Sequence, residues 1–80
     1  MKQITLLYFA QLGAQAGRSE ERLTSDAASV GSLFAELKHR YGWALPQEKV
    51  RFARNDSFCG VDEPFDDGDV LAIMPPMSGG

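Results

Sequence analysis

The sequence predicts an α+β domain in which one main helix packs across a mixed sheet of four to five strands. Three observations predict it. Residues 2–10 and 70–74 are apolar, β-rich segments near opposite ends of the chain. One stretch, residues 29–41, sets apolar side chains at steps of three and four. Short segments of mixed polarity, bounded by turn residues, fill the intervals. With 80 residues in all, the chain forms one domain with a modest core.

Residues 2–10 read as a central strand. Both alternate sets, Ile4, Leu6, Tyr8 and Thr5, Leu7, Phe9, are largely apolar, so neither face is simply solvated. Gly13 and Gly17 then punctuate a loop or turn. Residues 19–26 form a more polar strand, fit for a sheet edge. In the helix, Val30, Leu33, Phe34, Leu37 and Tyr41 make one apolar stripe. Ser29 is its N-cap, Gly42 its left-handed stop, and Lys38, His39 and Arg40 suit the negative end of the helix dipole. A connection containing Pro46 leads to a third strand at residues 50–54. Asn55-Asp56 marks a turn, and residues 57–61 a short strand or bulged extension. Asp66, Asp67, Gly68 and Asp69 form a tight, solvated turn. The last strand, residues 70–74, ends at Pro75-Pro76, because neither proline can donate to a sheet ladder. The first and last strands are the most apolar and are placed together at the sheet centre. Ile4, Leu6 and Tyr8 turn towards the helix with Leu71 and Ile73, which sends Phe9 and Met74 to the opposite face.

Composition narrows the function. Hydrophobic residues at 44% and charged residues at 24% are a globular balance, not that of a disordered chain. One cysteine excludes an internal disulfide and a Cys-based zinc site. No apolar run is long enough to span a membrane, and Met1-Lys2-Gln3-Ile4 lacks the apolar stretch of a signal peptide; the expected location is cytoplasmic. A net charge of −3 argues against general binding to a phosphate backbone. No Ser-His-Asp grouping emerges. His39 reads as a surface residue, Cys59 as a packed one, and the aspartates of residues 66–69 lack the length and distal Glu of a calcium loop. Arg51 and Arg54 read as a solvated face or as a contact with an acidic partner.

The ending is different. Residues 1–76 form the domain, and residues 77–80 a flexible tail that ends in Gly79-Gly80. Pro75 and Pro76 stiffen its exit, and two residues without side chains make a thin end that fits a narrow channel. A terminal carboxylate becomes an acyl donor once ATP has adenylated it, and a sulfur nucleophile can then displace AMP.

Tyr8-Phe9-Ala10-Gln11-Leu12, Ser29-Val30, Asn55, Pro64, Asp67-Gly68-Asp69 and the ending Pro75-Pro76-Met77-Ser78-Gly79-Gly80 carry a family resemblance along nearly the whole chain. The chain resembles the MoaD family, the small sulfur-carrier subunits of molybdopterin synthase, within the wider MoaD/ThiS group. The resemblance implies a β-grasp (ubiquitin-like) fold. It implies that a MoeB-type enzyme adenylates Gly80 with ATP, and that a persulfide sulfur donor system converts it to a thiocarboxylate. The tail, with Gly79 thread-thin, then enters a MoaE-type large subunit and gives its sulfur to cyclic pyranopterin monophosphate. No cofactor is held by the carrier; ATP belongs to the activating enzyme. Two small subunits flank a dimer of large ones. Phe9, Phe58 and Met74, with Pro75, Pro76, Met77 and Ser78, match positions that contact the large subunit. Met74 stands where an aromatic is common. Other readings are a ThiS-like carrier for thiazole synthesis, a ubiquitin-related modifier ligated to lysines, and a β-grasp interaction module in which Gly-Gly is incidental.

Overall fold

In the computed structural model, residues 1–76 are described; Met77, Ser78, Gly79 and Gly80 lie outside the described residues. Strands β1 (Lys2–Tyr8) and β5 (Val70–Met74) run parallel at the middle of a five-stranded sheet. β2 (Glu20–Ser25) flanks β1, while β3 (Arg51–Arg54) and β4 (Ser57–Cys59) extend the other side, giving the order β2-β1-β5-β3-β4. These outer pairings are antiparallel, so the sheet is mixed as predicted. The edges are the polar, charged β2 and the three-residue β4, features that limit edge-to-edge association.

Register decides the two faces. Leu6 pairs with Leu71, and Tyr8 with Ile73, which also pairs with Phe52. These side chains and Ile4 share one face and are all buried. The helix α2 (Val30–Tyr41) lays Val30, Leu33, Phe34 and Leu37 into the same core, at roughly 1.5–3 kcal/mol for each large side chain buried. Trp43 and Phe65 complete it. Phe34 meets Phe52 edge-on at 5.5 Å between ring centroids, an arrangement that aligns ring edge with ring face.

The ends of α2 are capped as its sequence requires. Ser29 Oγ accepts from the Ser32 N–H, while the Val30 and Gly31 N–H groups donate to the carbonyls of Glu63 and Val61. The loop approaches so closely that a Cβ on residue 31 would lie 3.0 Å from the Val61 carbonyl oxygen. Gly42, at φ 68°, closes the helix.

The first strand stops at Tyr8, two residues earlier than its composition predicts. Ala10 adopts φ 53° and ψ −132°, and the Leu12 N–H donates to the Phe9 carbonyl. This is a type II′ turn with alanine at the position that favours glycine. It opens a short helix, α1 (Gln11–Ala16), where the sequence reading has only a loop. Leu12 anchors α1 in the core, and a Cβ on residue 13 would crowd the carbonyl oxygens of Tyr8 at 3.1 Å and Arg18 at 3.2 Å. A single 3-10 turn, Gln47–Lys49, precedes β3.

The β3–β4 hairpin turns on Asn55 and Asp56, both at positive φ, the signature of a type I′ turn. Arg54 reaches Asp69 at 2.6 Å, Asp66 at 2.9 Å and Glu63 at 3.1 Å. Arg54 is therefore engaged within the chain rather than free for a partner. The turn before β5 also departs from the solvated reading. Asp66 and Asp67 are exposed, but Asp69 is buried, where it accepts from Arg54, from the Asn55 amide and from the Asp66 N–H. No described helix is long and apolar enough to cross a membrane.

Candidate functional site

Among the described residues, no helix or loop packs on the sheet face turned away from α2. Both helices bury their apolar residues on the other side, α1 through Leu12 and α2 through its stripe. Across the open face Leu7 pairs with Ala72, Ala72 with Ala53, and Ala53 with Phe58. The two alanines make a shallow floor between larger side chains. Phe9 continues the Leu7 side of its strand, and its N–H donates to the Ile73 carbonyl, which sets it beside Met74. Phe58 is 74% exposed and Phe9 46%, while Met74 is half-buried. The structure thus brings Phe9, Met74 and Phe58 to one face. A contiguous apolar surface rimmed by polar groups is unusual unless something covers it.

The tail leaves from this face's edge. β5 is central, Met74 pairs with Arg51 on one side and neighbours Phe9 on the other, and Pro75 and Pro76 follow. Pro75 is half-buried and Pro76 exposed. Sequence reasoning singled out Phe9, Phe58 and Met74 on this face but missed Leu7, Ala53 and Ala72. Leu7 had a signal, because it belongs to the same alternating set as Phe9. The alanines had none, since only pairing register reveals them.

Beneath Phe9 the tail-exit end is held by a polar clamp. Glu21 on β2 accepts from the Tyr8 hydroxyl at 2.7 Å, from the Tyr41 hydroxyl and from Arg18. Burial pushes the Glu21 carboxyl up, but the two hydroxyls and the nearby arginines outweigh it and hold the carboxyl below its ordinary range. The Tyr8 phenol is pushed up, first by burial and then by donating to Glu21; Tyr41 moves the same way for the same reasons. The clamp joins β1, β2 and the last turn of α2, so Phe9 stands on rigid elements.

The remaining candidate chemistry is dispersed. His39 is exposed on α2. The Cys59 thiol is half-buried and pushed up, by burial first and then by Glu63, the reverse of nucleophile activation. Among the described residues, no group of three or more His, Cys, Asp or Glu side chains is arranged to hold a metal ion. What the described surface offers is a rigid apolar platform with a peptide leaving at its edge. The predicted reacting residue Gly80, its neighbour Gly79, and the contact residues Met77 and Ser78 lie outside the described residues.

The sequence profile of the ThiS family matches residues 6–80. The chain belongs to the ThiS family. The resemblance read from its motifs is to this same group of carriers. The chain is 32% identical over 80 residues to the molybdopterin synthase sulfur carrier subunit of Escherichia coli K12, covering 96% of this chain and 99% of that protein. SAMP1 of Haloferax volcanii, a small archaeal modifier protein, shares the fold with a TM-score of 0.79 at 27% identity, covering 98% of this chain and 99% of that one. Molybdopterin converting factor subunit 1 of Pyrococcus furiosus is similar with a TM-score of 0.77 at 28% identity, covering 96% and 100%. The ThiS-family chain described here therefore has the expected β-grasp, ubiquitin-like fold, a mixed five-stranded sheet with one main helix.

Proposed function

We propose that the chain is the sulfur carrier of molybdenum cofactor biosynthesis, the small subunit of a molybdopterin synthase. The observation that carries the reading is its 32% identity, over nearly the full length of both chains, to the Escherichia coli sulfur carrier subunit. The geometry supports it, with a central strand delivering the tail at the margin of the apolar face opposite α2.

In this reading a MoeB-type enzyme adenylates the Gly80 carboxylate with ATP. The outer sulfur of a persulfide donor displaces AMP and forms an acyl disulfide. A donor-side thiol then cleaves the S–S bond, itself becoming a disulfide, so that Gly80 is left as a thiocarboxylate. The carrier itself holds no cofactor. A MoaE-type large subunit covers Phe9, Phe58 and Met74 and receives Pro75 to Gly80, with Gly79 and Gly80 in the narrow end of its channel, where a side chain would not fit. There the thiocarboxylate sulfur passes to cyclic pyranopterin monophosphate, and the large subunit supplies the acid–base groups. Two carriers flank a dimer of large subunits.

The test is intact mass and turnover. Incubation with the activating enzyme, ATP, the sulfur donor and a thiol reductant should exchange one oxygen for sulfur at Gly80. Deleting Gly80 should abolish both the exchange and sulfur transfer while leaving the fold intact. Full molybdopterin synthesis by the shortened chain overturns the reading. The likeness to SAMP1 favours a second use, ligation of Gly80 to lysine amines of other proteins. It predicts conjugates of higher mass that disappear with Gly80, even where synthase activity is absent.

A further inference from the structure

Charge is segregated along the strand axis. At the end where β1 finishes and the tail leaves stand Arg18, Lys38, Arg40, Lys49 and Arg51, five of the chain's eight Lys and Arg residues. At the opposite end, the Asp62–Asp69 loop carries five carboxylates, with Asp26 and Asp56 beside it. Two of the three cations outside the tail-end group are engaged: Arg54 holds three carboxylates, and Lys2 donates to the Ala27 carbonyl over the Phe65 ring, while Arg22 stands exposed beside Asp67. Cations at the tail end are largely not.

The α2 dipole accounts for Lys38 and Arg40, and Arg18 pairs with Glu21. Lys49 and Arg51 have no such role. Both are exposed, and neither lies in an ion pair among the described residues. Arg51 pairs with Met74, so it stands on the open face at the root of the tail. Glu20 and Glu48 are the exposed carboxylates nearby and leave the end positive. On a chain of net charge −3, this is a local reversal of sign where the reacting segment emerges.

We infer that Arg51 and Lys49 form a basic collar around the tail exit, and that it fits a protein partner whose tail channel has an acidic rim. The inference deepens the sulfur-carrier reading and rests on it. Opposite poles orient the carrier tail-first during the encounter, because like charges turn the acidic end away. The effect falls mainly on the association rate rather than on the lifetime of the complex.

The experiment is stopped-flow association of the full chain with the MoaE-type large subunit from the same source, across a salt series. Arg51→Glu and Lys49→Glu should each slow association roughly 3–10-fold at low salt. Asp62→Lys, a charge reversal at an exposed and unbonded site of the acidic pole, should leave the rate unchanged or raise it. All variants should converge at about 1 M salt, where the Debye length is about 3 Å. Circular dichroism verifies that each variant is folded. A wild-type rate independent of salt, or equal slowing by Arg51→Glu and Asp62→Lys, overturns the collar. Complete absence of wild-type binding instead overturns the carrier reading beneath it, and the collar with it.

Discussion

Phe58 separates docking from folding more cleanly than any other residue of the open face. It is 74% exposed on a three-residue edge strand. An aromatic side chain offers about 200 Å², so about 150 Å² is left for a partner to cover. At about 25 cal/mol per Å² that is worth at most about 3.7 kcal/mol. Losses of freedom on association reduce what is realised, and about 2 kcal/mol is the expected share, a value typical of interface hot spots. Phe58→Ala should therefore weaken binding of the large subunit roughly 30-fold. The quarter of Phe58 already buried is worth about 1 kcal/mol of stability, a melting shift of roughly 4–8 °C. Phe9 divides differently, because it is only 46% exposed. Phe9→Ala should also weaken binding by roughly 30-fold. Its cost in stability should be larger, about 2–3 kcal/mol, since more of the ring already packs on the chain. Calorimetric titration of the large subunit against each variant, beside urea unfolding curves, measures both quantities. Unchanged affinity in both folded variants would falsify the assignment of this face to docking.

Three other outcomes are expected. Gly79→Val should impair activation and sulfur transfer far more than unfolding midpoint, and unchanged kinetics with both enzymes would remove the threaded-tail mechanism. Ala10→Gly should stabilise by about 0.5–2 kcal/mol, because relief of the strained conformation, about 1–3 kcal/mol, exceeds the added freedom of the unfolded chain; a lower urea midpoint would show that the methyl group matters more than the turn. Asp69 is pushed up by burial but held down overall by the Asp66 N–H, Asn55 and Arg54, so its folded value lies below the ordinary 3.8. Its contribution is present above that value and is lost as pH falls through the folded one, as is that of Glu21 below 4.5. Asp69→Asn should lower stability at neutral pH and flatten the acid limb of the stability curve; an unchanged limb in pH-dependent denaturation counts against this network.

The split between what the residues disclose and what they conceal follows the range of the forces involved. The helix over residues 29–41 was legible because its stripe, its Ser29 cap and its Gly42 stop are local. The hairpin at Asn55-Asp56 was legible because a type I′ turn requires positive φ at both positions, which those side chains tolerate. The helix at Gln11–Ala16 left no such trace. It spans six residues with one buried leucine, and it is held by a turn at Ala10 that alanine itself disfavours. The burial of Asp69 was equally silent, because it depends on Arg54 arriving from another strand. The candidate site lies between these cases. Phe9 and Met74 could be assigned to a common face from alternation alone, but the floor of that face comes from Ala53 and Ala72, whose meaning lies wholly in pairing register. Alanine there is what a docking surface needs: a larger residue at either position would fill the shallow row between Leu7 and Phe58 and lift any covering partner away from both. The local code thus marks the rims of the platform, and the long-range sheet supplies its depth.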